Sequence, residues 1–234
     1  MKFPRQVPGI PRSSEWHELS EDVVYAEAGG VPLRYDHYRP KKVDGLAPGI
    51  VFVHGGAWVH GDPSQAAGNA LHFARHGIAT VSLSYRLAPR HRFPAALDDV
   101  RRGLRHVRAH AEELGIDANR IVLLGLSAGA HLAMLSHVAS QLPELEADLP
   151  PELRDVREDV LGVMLHYGPY DLARRFASPL QSIWNACGAP SSSSSSAGFP
   201  AASSAACRRT DSRCETTTSA VPWTRSTGAV ASAA

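Results

Sequence analysis

The chain has 234 residues, 24 Lys and Arg against 23 Asp and Glu, and a formal net charge of +1. That length can bury the core of one large α/β domain, and a near-neutral balance leaves no electrostatic footprint for nucleic acid or an acidic surface. No run approaches the ~18 apolar residues of a membrane span. Residues 1–20 are polar and Pro-rich, without the apolar stretch of a secretory signal, so a cytoplasmic location is expected. The three cysteines, Cys187, Cys207 and Cys214, form no CxxC pair, and an odd count argues against a disulfide framework.

In chain order, Val23–Ala28 and Leu33–Arg39 read as an antiparallel hairpin turned at Gly29-Gly30. Ile50–Val53 is a short buried strand, Ser64–His76 a helix, and Ile78–Ser84 the next strand. Leu97, Val100, Leu104, Val107, Ala111 and Leu114 form one apolar stripe at helical spacing. Ile121–Leu124 is a strand, followed by a helix through Leu132, Leu135, Ala139 and Leu142. Pro143–Asp159 is a loop or short helix, and Val160–His166 is a buried strand. Strands alternating with helices predict an α/β fold, a mainly parallel sheet with helices on both faces.

Two motifs carry chemistry. Gly125-Leu126-Ser127-Ala128-Gly129 lies between a strand and a helix, the layout of a nucleophile elbow, which lifts a serine Oγ clear of the sheet. His54-Gly55-Gly56-Ala57-Trp58 follows another strand, where glycines expose backbone N–H groups. Acyl transfer needs such donors for the oxyanion of its tetrahedral intermediate. Ser127 is therefore the candidate nucleophile, and the amides of Gly56, Ala57 and Ala128 the candidate oxyanion hole. No cofactor or metal is implied.

The composition changes after residue 185. Positions 186–234 contain no Leu, Ile, Met, Lys, His, Tyr, Asn or Gln, and Ser and Ala fill 24 of the 49 positions, including Ser191–Ser196. Such a segment has too little apolar surface to offset its ordering entropy and is expected to be a disordered tail.

The motifs above, with Gly61-Asp62, Ser84-Tyr85-Arg86-Leu87-Ala88-Pro89, Phe93-Pro94-Ala95-Ala96 and Tyr167-Gly168-Pro169-Tyr170-Asp171-Leu172, resemble the α/β-hydrolase superfamily. The likeness covers roughly residues 20–185 and is nearest to the hormone-sensitive-lipase-like, feruloyl-esterase-like and arylformamidase branch. The lipase-like branch usually has aspartate before the serine, where this chain has Leu126. The string Ser127-Ala128-Gly129-Ala130-His131-Leu132-Ala133 looks closer to the feruloyl-esterase-like and arylformamidase members. The resemblance implies hydrolysis of a small acyl ester or an N-formyl amide; a non-catalytic relative binding a small ligand is the alternative outside enzymes.

In the fold so implied, the triad runs serine, acid, histidine along the chain, with the last two after further strands. Here no histidine follows His166, and the tail's acids are Asp211 and Glu215. The expectation is an incomplete hydrolase sheet lacking its last two strands and an impaired site. Arg supplies 21 of the 24 basic residues, an Arg bias that suggests GC-rich coding, so a shifted reading frame near residue 187 would produce such an ending; a natural disordered tail is the alternative.

Other candidates are expected to be structural. His54 would brace the glycine loop. His131 and His137, on the elbow helix, would pack or face solvent. His166 is the best substitute base, and Asp171 would line the pocket or serve as the acid. Asp98 and Asp99 suit a helix N-terminus. Trp58 and Tyr85 line an acyl pocket or pack. His106 and His110, four apart, would lie on a solvated helix face.

Overall fold

Gly29 and Gly30, with φ of 56° and 72°, close a hairpin between β1 (His17–Ala28) and β2 (Val31–Pro40). The structure, a computed structural model, describes residues 10–140 and 149–172. After the hairpin come β3 (Ala47–Val53), a 3-10 turn (Pro63–Ala66), α1 (Ala67–Arg75), β4 (Ala79–Leu83) and α2 (Ala95–Ala109). β5 (Ile116–Leu126), α3 (Ala128–Ala139), α4 (Pro151–Arg154) and β6 (Gly162–His166) complete the described fold. The sheet order is β1-β2-β4-β3-β5-β6; β2 runs antiparallel to β1 and β4, and all later pairings are parallel.

The period-two alternation of the central strands sorts their side chains onto two faces. Val51 and Val53 of β3, Val81 and Leu83 of β4, and Ile121 and Leu123 of β5 meet Leu97, Val100, Leu104 and Val107 of α2 and Leu132 and Ala133 of α3. Ile50, Phe52 and Leu124 point the other way, onto Ala66, Ala67 and Ala70. Helices thus cover both faces, as expected. All six residues of the stripe read from the sequence are buried. The helix itself ends at Ala109, and Ala111 and Leu114 reach the core from the turns that follow.

Several boundaries differ from expectation. The helix predicted over Ser64–His76 is split: Asp62 caps the 3-10 turn by accepting from Ser64 N, and the α-helix starts at Ala67. β5 begins five residues before Ile121, because Ile116 pairs with Ala47 and the ladder then resumes at Gly49–Ile121 across an irregularity. Asp117 accepts from the amide of Asn119 inside that irregularity, a local bond that reads as a turn in sequence. β1 starts at His17, six residues ahead of the expected Val23. Leu142, residues 143–148 of the segment that follows it, and the tail from residue 186 lie outside the described residues.

Buried ion pairs hold the approach to β6, a feature the apolar stripe did not reveal. Arg101 and Arg105 of α2 both reach Glu158, with Nε–Oε distances of 3.0 and 2.6 Å. Arg105 also donates to the carbonyls of Leu153 and Arg154, and Arg108 to those of Ala118 and Asp159. One face of α2 packs the sheet while its arginines satisfy the carbonyls of the segment that leads into β6.

Candidate active site

Ser127 joins β5 to α3 at φ 52° and ψ −115°, a conformation unfavourable for a residue with a Cβ. Its amide donates to the His166 carbonyl at 2.9 Å, and its carbonyl accepts from His131 N at 3.1 Å. The turn is tight enough that a Cβ on Gly125 would strike the backbone of Gly129 and Ala130. A Cβ on Gly129 would strike the carbonyls of Val53 and His54. Both glycines of the pentapeptide are therefore required by close backbone approach, and the second presses α3 against the end of β3.

The glycine loop lies beside the serine. A Cβ on Gly55 would sit 3.0 Å from the Leu126 carbonyl oxygen and 3.4 Å from Ser127 Cβ. Gly56 has φ 126°, and Ala57 and Trp58 follow with φ of 50° and 64°. The carbonyl of Gly56 accepts from Val59 and His60 at 3.0 and 3.1 Å, folding the loop back on itself. Ala128 is buried at the first position of α3, where helical geometry leaves the amide without an intrahelical acceptor. The structure thus gathers Gly56, Ala57, Ser127 and Ala128 at the carboxyl ends of β3 and β5.

His54 braces the loop. Its Nδ1 donates to the Gly55 carbonyl at 2.8 Å, and its ring stacks on Tyr85 with centroids 4.2 Å apart. Burial pushes the imidazole down to about 4, so it is neutral at neutral pH. Tyr85 packs: it is buried and its hydroxyl donates to the His54 carbonyl at 2.9 Å. Trp58 is half-buried and meets His131 edge to face at 5.3 Å. His137 is half-buried near the end of α3.

His166 is exposed at the end of β6, in register with Leu126. Tyr167 then turns through φ 46°, and Asp171 is exposed beyond it. Among the described residues no histidine ring is hydrogen-bonded to Ser127 Oγ.

Two expectations need correction. His106 does not lie on a solvated face: it is half-buried between Tyr25, Tyr35 and His110, its ring stacked on His110 at 4.1 Å, and burial pushes it down to about 4. His110 uses Nδ1 on the His106 carbonyl. Asp99 is more than a helix-end charge, since it is fully buried and pairs with Arg86 and Arg102. Asp98 does stand in the first turn of α2; burial and the neighbouring Asp99 push its carboxyl up to about 6. Among the described residues no group of three or more His, Cys, Asp or Glu is arranged to hold a metal ion, and no helix is long and apolar enough to cross a membrane.

The strand order, the strand–serine–helix elbow and the adjoining glycine loop define an α/β-hydrolase fold. The chain belongs to the BD-FAE family, whose model matches residues 35–189. Esterase LipC of Mycobacterium tuberculosis is 37% identical over 126 residues, which are 53% of this chain and 30% of that protein. LipM of the same organism, a probable carboxylic ester hydrolase, is 33% identical over 156 residues, 65% of this chain and 35% of that protein. The chain thus spans about a third of the length of these curated relatives. Among solved structures, esterase LipW from Mycobacterium marinum superimposes with a TM-score of 0.53 at 33% identity, covering 68% of this chain and 46% of that one. A Thermogutta terrifontis esterase with propionate bound gives 0.59 at 29% identity, covering 74% of this chain and 63% of that one.

Proposed function

We propose that the chain is a serine carboxylic ester hydrolase acting on small acyl esters, impaired in its own turnover. The observation that carries this reading is the juxtaposition of a strained Ser127 with the Gly55–Ala57 loop, where a Cβ on Gly55 would lie 3.4 Å from Ser127 Cβ. Ser127 Oγ attacks the ester carbonyl, and the oxygen becomes an oxyanion facing the amides of Gly56, Ala57 and Ala128. Collapse expels the alcohol and leaves an acyl-serine, which water hydrolyses. Preorganised donors of this kind are worth about 2.7–4 kcal/mol each by deletion.

The esterase names of LipC, LipM and LipW favour an ester over a formamide, and the propionate-bound neighbour favours a short acyl group. Removal of the serine proton needs a base. His54 is committed to the Gly55 carbonyl, and the exposed His166 is the described histidine nearest in register to the elbow. We therefore propose weak turnover by this 234-residue chain on its own. The oxyanion donors and substrate binding retain about 10³–10⁴-fold over water when a triad member is lost. Hydrolysis of p-nitrophenyl acetate by the purified chain, beside Ser127→Ala and His166→Ala, tests this. Slow release abolished by Ser127→Ala is expected; release unaffected by that substitution removes the serine reading.

A further inference from the structure

The oxyanion loop carries an uncommon strain. Ala57 and Trp58 are consecutive non-glycine residues in the left-handed region, at φ 50° and 64°. Such a pair persists only where its surroundings over-determine it. Backbone bonds supply part of the constraint. Val59 and His60 donate to the Gly56 carbonyl, and Ala88 N donates to the Trp58 carbonyl at 2.9 Å. These bonds tie the loop to itself and to the segment before α2. The Trp58 and His131 rings, perpendicular with centroids 5.3 Å apart, join the loop to the helix that follows the serine.

His131 is placed to transmit position. It lies one helical turn beyond Ser127, and its amide donates to the Ser127 carbonyl at 3.1 Å. Its Nδ1 is buried without a hydrogen-bond partner among the described residues. Leaving a buried nitrogen unpaired is unfavourable, so a hydrogen bond from that atom does not account for an imidazole here; packing on the indole does. Burial also holds the imidazole below its ordinary range, which keeps the ring neutral.

We propose that His131 is a positioning residue, whose ring wedges Trp58 and so holds the Ala57-Trp58 turn in register with Ser127. The proposal rests on the reading of Ser127 as nucleophile. A loop released from the wedge still binds substrate but aims its amides poorly at the developing oxyanion. The expected signature is a loss in the chemical step with little change in binding.

The test uses the full chain and diethyl p-nitrophenyl phosphate. The Ser127 Oγ–P bond forms, the bond from phosphorus to p-nitrophenolate breaks, and the Oγ proton passes to solvent. Released p-nitrophenolate reports the rate without need of turnover, and mass spectrometry reports the labelled residue. His131→Ala is expected to slow labelling roughly tenfold and to leave KM for p-nitrophenyl acetate within about twofold. His131→Phe, which keeps a ring and removes the unpaired nitrogen, is expected to label at close to the parent rate. Labelling by His131→Ala within about twofold of the parent overturns the proposal. So does a folded His131→Phe that labels as slowly as the alanine variant, because the nitrogen would then be what matters. If His131→Ala does not fold, the phenylalanine variant decides alone: a parent-like rate supports the wedge and a tenfold loss overturns it. Absence of any label on Ser127 in the parent chain removes the serine reading and the proposal with it.

Discussion

Asp99 grips Arg86 through both oxygens, with Oδ2 2.8 Å from Nε and Oδ1 2.8 Å from Nη2. Asp99 Oδ2 also accepts from the Arg86 amide, and Arg102 approaches Oδ1 at 3.5 Å. The carboxylate is fully buried, so the pair fastens the segment after β4 to the N-terminal half of α2. That segment in turn supports the glycine loop, through the Ala88 amide on the Trp58 carbonyl. Asp99→Ala would remove the buried carboxylate that Arg86 and Arg102 share. Loss of one partner of a buried pair costs about 3–5 kcal/mol. Urea unfolding of Asp99→Ala beside the parent chain checks this; a loss under about 1 kcal/mol would show that water replaces the carboxylate.

Gly129→Ala is expected to damage the elbow itself. The new methyl would meet the carbonyls of Val53 and His54, which are backbone atoms at the end of a fully paired strand and have little room to give. Overpacking of this kind costs about 1–3 kcal/mol, and backbone obstacles place it at the upper end. Gly68→Ala makes a suitable control, since a methyl there meets nothing within 4 Å and the site lies in α1. That change is expected to be neutral or to stabilise by up to about 1 kcal/mol, from the higher helix propensity of alanine. Equal effects of the two substitutions on the denaturation midpoint would contradict the packing described.

Stability is expected to fall on mild acidification. His37 and His54 are buried, and burial pushes both imidazoles down to about 4 from 6.5. The unfolded chain takes up these protons as pH drops through about 6.5, whereas the folded chain does so near 4. The neutral-ring stability is therefore whole above about 6.5 and is lost as pH falls toward 4. Each such group contributes a slope of up to about 1.4 kcal/mol per pH unit within that window. His37→Phe is expected to flatten the slope by about one proton, because it removes one titrating ring whose Nε2 has no partner among the described residues. Urea unfolding across the window measures this; a slope unchanged by the substitution would mean that His37 is not held neutral.

Most of this architecture was legible where a periodic pattern coincides with burial. The α2 stripe and the alternating strands gave their elements directly, since each apolar position faces one of two continuous cores. The elbow and the glycine loop were legible because close backbone approach leaves glycine few substitutes. What escaped the sequence was polar and long-range. Glu158 and its two arginines are 57 and 53 residues apart along the chain, and a charged residue reads as solvent-facing until a partner is known. His106 was misread for the same reason: its covering rings, Tyr25 and Tyr35, come from the distant hairpin. The start of β5 was hidden by Asp117 and Asn119, whose local bond imitates a turn inside the strand.

Ser127 holds a backbone conformation that serves its placement at the cost of stability, and the two are separable by substitution. At φ 52° and ψ −115° a Cβ is disfavoured, and strain of this kind costs of order 1–3 kcal/mol. Glycine adopts positive φ readily but carries more freedom in the unfolded chain, which returns about 0.5–1 kcal/mol of the gain. Ser127→Gly is therefore expected to raise unfolding stability modestly, by about 1 kcal/mol, while abolishing labelling by the phosphate ester. Ser127→Ala keeps the Cβ and hence the strain, so it is expected to lose labelling with stability close to the parent. Paired urea titrations of the two variants separate the hydroxyl from the backbone. A Ser127→Gly variant less stable than Ser127→Ala would mean that the elbow is not strained and that the serine geometry is locally relaxed.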